Sequence, residues 1–344
     1  MISVVRSRRI SFRVPTRLVA VCLALAAATV PVVIASLCLG RFWVPADEVL
    51  SSLLGRADGM AATVVVEWRL PRVLAALGFG AALGAAGAVF QSLTRNPLGS
   101  PDVIGFTTGA HTGAMIAIVF LGGAFGVTSV SAVLGGALTA AAVFLIARGT
   151  SGAGAGIVVV GIAITAVLSS VNVWLLLTAD LRAALSAAFW GMGSLNGLQW
   201  ERVAPALLLL LPPLVLVVLL WRRAELLEMG EDAAGALGVR PDPTRLALIA
   251  CGVLLTAVVT AVAGPVAFIA LVAPQVARRT ARTSSVEPVT AAATGALLLA
   301  ASDLAAQHAF GGALILPVGV VTAGLGGCYL LCAIVLAARR EGRA

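Results

Sequence analysis

The chain has 344 residues, of which 60% are apolar, 37 are glycine and only 11% are charged, and its mean hydropathy is +1.06. A soluble domain carries about 25% charged residues and cannot hide this much apolar surface, so a soluble enzyme, a disordered scaffold and a disulfide-knit secreted domain are excluded and a polytopic helical membrane protein remains. The net charge is +8, but all 23 basic residues are arginine; without lysine the chain builds neither a Walker A phosphate loop nor a Schiff base.

Charge-free runs set the spans, because a helix crossing the ~30 Å hydrocarbon core needs about 20 apolar residues. Residues 1–17 form a basic tail (Arg6, Arg8, Arg9, Arg13, Arg17), and the run 18–40 that follows is longer than a signal-peptide core, so it reads as an uncleaved signal-anchor. Residues 73–94 give a second span. The run 103–147 is long enough for two, with the turn at Gly122, Gly123 and Gly126. One span lies at about 156–178 and another at 203–221. The run 246–277 is broken by Gly264-Pro265 and reads as two spans, the second short. The run 289–338 holds the last two, split near Gly311-Gly312 and Pro317, and residues 339–344 form a short tail. That makes ten spans within one transmembrane domain, 18–338. With both ends inside, 17 arginines fall on inner segments and 6 on outer ones, the asymmetry of the positive-inside rule. The basic charge is therefore a topology signal, and nucleic acid is not an expected partner.

Four stretches depart from plain apolar helix. Glu67 to Arg72 lies at the outer mouth of the second span, with Pro71 suited to a helix's first turn. Arg69 and Arg72 there read either as snorkelling anchors or as a docking site for an acidic outer partner. Gln91 to Asp102 is an inner turn dense in helix breakers, read as a rigid connector. The inner loop 222–245 carries Glu225 to Val239, acidic on one side and apolar on the other. Gly230 and Gly238 divide it into two expected short surface helices, and its character fits a partner protein's groove better than anionic lipid. Residues 180–202 are cut by Gly191, Gly193 and Gly197 and read as an interfacial half-helix capping an outer vestibule. Membrane-embedded polar residues are few: Gln91, His111, Ser169, Ser170, Asn172, Asp303 and His308. Asp303 looks almost alone, whereas an ion-coupled pump shows paired charges. The five cysteines read as small buried hydrophobes, and no cluster has metal-ligand spacing.

These motifs together resemble the permease family of iron–siderophore and vitamin B12 ABC importers. The resemblance rests on Arg69-Leu-Pro-Arg72, Gly80 to Gln91 followed by Arg95-Asn-Pro-Leu98, Leu237-Gly238, Ala263-Gly264-Pro265, Leu271-Val-Ala-Pro274 and Leu316-Pro-Val-Gly-Val-Val-Thr322. Phe90 to Gly105, Gly193 to Gly197 and Leu226 to Gly230 are most similar to the ferric enterobactin permeases of that family. The resemblance implies an all-α, ten-span type II importer permease with no catalytic residues and no cofactor of its own. It would pair with a second permease, identical or not. An ATPase dimer below would carry ATP-Mg, and an extracytoplasmic binding protein would deliver a ferric siderophore. It further implies that Arg69 and Arg72 dock the binding protein. Motion of the ATPases would enter through Glu225, Glu228, Gly230, Asp232, Ala233, Gly235, Leu237 and Gly238. Ser169, Asn172 and Thr322 are the expected pathway residues. Three positions depart from the family pattern: Gln307 where a third outer arginine is usual, Gln275 where Pro-His is usual, and Ile315 before Leu316. Haem or cobalamin import is the alternative cargo; a secondary transporter, a channel or an intramembrane enzyme are the alternative classes.

Overall fold

The computed structural model describes residues 2–7, 10–102, 105–147, 153–283, 285–309 and 316–341. Arg8, Arg9, Arg148, Arg343, Gly311-Gly312 and Ile315 lie outside the described residues.

The basic tail is not helical. Its β-branched residues form a two-stranded antiparallel hairpin, β1 (Ile2–Ser7) and β2 (Ile10–Pro15), in register from Ile2 against Pro15 to Ser7 against Ile10. Among the described residues every later element is helical, in order α1 (Thr16–Cys38), α2 (Ala46–Leu53), α3 (Met60–Ala62) and a π-helical stretch Thr63–Arg69 that runs into α4 (Leu70–Thr94). Then come α5 (Phe106–Phe120), α6 (Phe125–Ala147), α7 (Ala153–Thr178), α8 (Leu181–Gly191), α9 (Trp200–Glu228) and α10 (Glu231–Ala236). The last four are α11 (Pro241–Ala263), α12 (Ile269–Ala281), α13 (Pro288–His308) and α14 (Val318–Glu341).

Seven of the described helical segments are long and apolar enough to cross a membrane: Thr16–Cys38, Met60–Thr94, Phe125–Ala147, Val158–Thr178, Trp200–Glu228, Pro241–Ala263 and Pro288–His308. The chain is thus a multi-pass helical membrane protein. Each of the ten stretches read from the sequence as a span carries a helix. α5 and α12 are shorter, and the 13 residues of α12 rise only about 20 Å.

Small residues let the central helices touch backbone to backbone. A Cβ on Gly80 would lie 2.3 Å from the Gly295 carbonyl oxygen, and one on Gly84 would lie 2.2 Å from that of Ala291, so α4 and α13 pack with no side chain between them. Gly87 makes the same approach to Ala270 of α12. α9 and α11 complete the packing around α4, with Phe79, Leu210, Leu248, Leu255 and Leu299 fully buried among them. α5, α6 and α7 form a second group, α5 meeting α6 through Gly109, Gly113 and Gly135.

Two local expectations change. Glu225 to Glu228 do not form a separate surface helix, because α9 runs straight on to Glu228 and the good helix formers Ala224 to Leu227 give it no reason to stop. Only α10 remains, between Gly230 (φ 121°) and Gly238 (φ 82°). The cysteines divide: Cys38 and Cys251 are buried, but Cys328 and Cys332 are exposed along α14.

Candidate functional site

At the N-terminal end of α4, the π-helical stretch turns Arg69 toward the end of α1. Its Nη1 donates to the carbonyls of Leu37 (2.6 Å) and Cys38 (3.2 Å), and Nη2 donates to that of Phe42. Arg69 thereby supplies the donors that the last turn of α1 lacks. Gly40 makes room for it, since a Cβ there would sit 2.5 Å from Nη2. The widened turn also leaves the Val66 carbonyl free to accept from Trp200 Nε1 at 2.9 Å, which fixes the start of α9.

One turn on, Arg72 meets Asp303 of α13. Nε donates to Oδ2 at 2.9 Å and Nη2 donates to Oδ1 at 2.8 Å, a side-on bidentate pair. Gln307 Nε2 donates to the same Oδ2 at 2.9 Å. The side chains are 15% and 3% exposed. Asp303 is therefore not alone. Its partner lies 231 residues away in sequence, and Gln307, at the position lacking the third arginine, completes the carboxylate's shell.

An open-sided hollow of about 560 Å³ lies between α5, α7, α8 and α14. Thr107, Thr108 and His111 of α5 and Ser169 and Asn172 of α7 form its polar side; Met192, Pro265, Ala267 and Val320 face them. The apolar side is a loop construction: Ser194 N–H donates to the Ala263 carbonyl (2.7 Å) and Gly319 N–H donates to that of Gly193 (3.1 Å). Gly193 (φ 66°) and Gly264 (φ 71°) turn the backbone where these segments touch. α8 is the half-helix expected over 180–202, N-capped by Asp180, whose Oδ1 accepts from Ala183 N–H at 2.9 Å. Of the three expected pathway residues, Ser169 and Asn172 line the cavity. Thr322 is buried beside it with its hydroxyl donating to Gly319, and Gly319, Val320 and Ala323 form the wall on that helix.

At its other end, α4 stops at Arg95 (φ 48°), before Asn96-Pro97. Gln91 Nε2 donates to the Leu271 carbonyl (2.9 Å) and Gln275 Nε2 donates to that of Pro97 (2.7 Å), so α12 clamps the connector from both sides. Gln275 thus has a structural role. The end of α9 is tied to α4: Ser92 Oγ donates to Glu228 Oε1, and Arg95 Nη2 donates to the Leu227 carbonyl at 2.8 Å. Ser92, Arg95, Glu228 and Arg278 line a crevice of about 270 Å³ there. Leu227, Ala234 and Val239 bury one face of α10. Asp232, Gly235 and Leu237 point outward, Leu237 being 61% exposed. Ala233 is half-buried and Glu225 half-buried near Arg222. Burial pushes the Glu287 carboxyl above the usual carboxylate range; Glu225 adds to the shift and Arg222 opposes it. Burial also raises Asp102, against the hydrogen bond it accepts from Thr107.

Sequence reasoning passed over Ser92 and Arg95 as anchors of this segment and gave no partner to His111. No spacing signal could link Ser92 to Glu228 or His111 to Trp190, since both contacts are made only by packing.

Residues 23–336 match the model of the FecCD transport family. The chain belongs to the FecCD transport family. It is 46% identical over 328 residues to the ferric enterobactin transport system permease protein FepG of Escherichia coli (strain K12), covering 95% of this chain and 99% of that one. It is 35% identical over 309 residues to the ferric enterobactin transport system permease protein FepD of the same organism, covering 86% and 89%. It also superimposes on a chain of a metal-chelate type ABC transporter solved in an inward-facing conformation, with a TM-score of 0.78 and 26% identity over 92% of this chain and 99% of that one.

Proposed function

We propose that this FecCD-family chain is a permease subunit of an ABC importer that moves a ferric siderophore of the enterobactin type across the cytoplasmic membrane. The observation that carries this is the near full-length likeness to FepG at 46% identity. The helices on the ten expected spans and the arginine asymmetry support a ten-span topology with both ends cytoplasmic. Two permeases of one ferric enterobactin system, FepG and FepD, both resemble the chain, which supports pairing with a second, non-identical permease. A separate ATPase dimer would carry ATP-Mg, since this chain has no lysine for a Walker A loop.

The coupling surface we infer is the outward side of α10 with its flanks, Asp232, Gly235 and Leu237, backed by Glu225, Glu228, Gly230, Ala233 and Gly238. Its ties to Ser92 and Arg95 would carry a push on α10 into α4, and from there into α13 through their glycine contact. Arg69 and Arg72 mark the outer rim at which an acidic face of the binding protein would dock; Arg72 would keep its hold on Asp303 while its remaining donor faces outward. Ser169 and Asn172, with Thr322 on the helix behind, would border the path of the chelate.

The test is reconstitution of the chain with its second permease, ATPase and binding protein in vesicles. Uptake of radio-iron bound to enterobactin should require ATP and both permeases. Uptake of haem or cobalamin in its place, or ferric siderophore uptake without the ATPase, would overturn the reading.

A further inference from the structure

α2 (Ala46–Leu53) has one more apolar side than the chain covers. Its eight residues make little more than two turns, and neighbours three and four apart share a side. Val49 and Ser52 form the first side and are buried, Val49 in a small core with Val44, Ala61, Val65 and Val73. Asp47, Glu48 and Ser51 form the second, which is polar. Both carboxylates are exposed and lie in the first turn, where the helix dipole favours them. Leu50, Leu53 and the C-cap Leu54 form the third, apolar and uncovered: Leu50 is 58% and Leu54 55% exposed. The surroundings continue that character. α1 is apolar enough to cross a membrane and open along most of its length, with Leu23, Val30, Ile34 and Leu39 exposed. A spanning helix exposed in this way faces lipid. Phe42 and Trp43 follow in the short link to α2, Trp43 being 65% exposed, and Trp68 is exposed just before Arg69. Arg69 holds the two places together through the carbonyls of Leu37, Cys38 and Phe42. Arg41 and Arg56, both exposed, flank the stretch in sequence.

We propose that α2 is an interfacial helix seated in the lipid bilayer at the C-terminal end of α1, with Leu50, Leu53 and Leu54 in the boundary between headgroups and acyl chains. Its three sides then meet three media: the protein core takes Val49 and Ser52, lipid takes the leucines, and water takes Asp47 and Glu48. Such helices sit with the apolar side about 5–10 Å into that boundary. Tryptophan prefers the same level, its ring being apolar and its N–H polar, which gives Trp43 and Trp68 their place. Arg41 and Arg56 supply cations at the height of the lipid phosphates. That accounts for two of the arginines that the positive-inside asymmetry leaves on the outer side. A protein partner fits less well, because the leucine strip continues the lipid-facing surface of α1. Since Arg69 ties this link to the stretch leading into α4, the seated helix fixes the depth of that end of α4 in the membrane.

The test uses the chain assembled with its second permease and ATPase in phospholipid vesicles. Nitroxide labels are placed singly through Leu50→Cys, Leu54→Cys, Asp47→Cys and Glu48→Cys, in a chain whose own five cysteines are replaced by alanine. Collision of each label with oxygen, which concentrates in lipid, is compared with collision with a water-soluble nickel chelate. The oxygen-to-nickel ratio should be several-fold higher at the two leucine positions than at the two acidic ones, and adding the binding protein should leave it unchanged. Equal ratios at the four positions, or leucine-position labels shielded from both reagents, overturn the proposal. Shielding that arises only with the binding protein overturns it too and makes this side a protein contact. A second measurement needs no cysteine replacement. In vesicles of brominated phosphatidylcholine, Trp43→Phe with Trp68→Phe should lose much of the lipid-quenched tryptophan fluorescence of wild type. An unchanged quenched share overturns the proposal.

Discussion

The Arg72–Asp303 pair makes an asymmetric prediction. Asp303 is 3% exposed and Arg72 15%. Arg72→Ala strands the carboxylate with only the amide of Gln307. Breaking a buried pair from one side costs about 3–5 kcal/mol, and the partial exposure of Arg72 points to the lower end, about 3 kcal/mol. Asp303→Asn strands the guanidinium instead, but a long side chain at the helix mouth can snorkel to water, so that loss should stay near 1 kcal/mol. The double replacement Arg72→Met with Asp303→Leu removes both charges and should return to within about 1 kcal/mol of wild type. Equilibrium unfolding in mixed micelles, followed by tryptophan fluorescence, reads all four proteins. A loss below about 1 kcal/mol for Arg72→Ala, or equal losses for the two single variants, would refute the reasoning. Docking separates along the same line. Asp303→Asn frees Arg72 and should keep binding-protein affinity, whereas Arg72→Ala should weaken it and flatten its dependence on salt.

Three further outcomes follow from the packing. Gly87→Ala puts a Cβ 1.7 Å from the Ala270 carbonyl oxygen, and backbone cannot move aside cheaply. It should cost about 3 kcal/mol or more, while Gly126→Ala, with nothing within 4 Å, should leave the unfolding midpoint unchanged. Leu237→Asp alters a side chain that is 61% exposed, so stability should stay within about 0.5 kcal/mol while transport per ATP hydrolysed falls; tight coupling in that variant would remove Leu237 from the ATPase contact. Glu287 has its carboxyl raised in the folded state, so below the ordinary glutamate value of about 4.3 both states are protonated and it contributes nothing. As pH rises through the raised value, the folded state must give up a proton it holds more tightly, and stability falls. Glu287→Gln should therefore stabilise the chain at neutral pH and leave it unchanged near pH 4, as melts at the two pH values would show.

Composition and charge spacing place the helices well because both are local: a run without charge between two arginines is a span wherever the chain later goes. The Gly264-Pro265 break is legible for the same reason, since proline removes a donor and glycine accepts φ 71° whatever lies nearby. What is not legible is made by distant contacts. The helix formers Ala224 to Leu227 allow α9 to continue, but the contacts that hold its end come from Ser92 and Arg95 on another helix. Arg69 and Arg72 are legible as a motif, but not the carbonyls of Leu37, Cys38 and Phe42 that Arg69 serves. A residue read as an outward-facing hook is also a cap.

The same long-range contact changes one argument about energy. An intramembrane carboxylate without a partner speaks against an ion-coupled pump only because paired, titrating charges are the pump's usual equipment. Asp303 does have a partner, so that ground is gone. What replaces it is the manner of pairing. Both carboxylate oxygens are engaged, one of them twice, by donors on α4 and on its own helix. Arginine does not give up its proton in proteins, and neither residue lines the hollow between α5, α7, α8 and α14. A relay group must exchange protons with the path it serves, whereas this pair joins α4 to α13 at the end opposite the Ser92–Glu228 tie. Its position fits a clamp that makes two glycine-packed helices move as one body when the inner end is pushed. If so, the Arg72→Met, Asp303→Leu double variant, with the charges gone but the packing kept, should still transport its cargo with an unchanged pH profile. A loss of transport that tracks pH in that variant would make Asp303 a proton carrier after all.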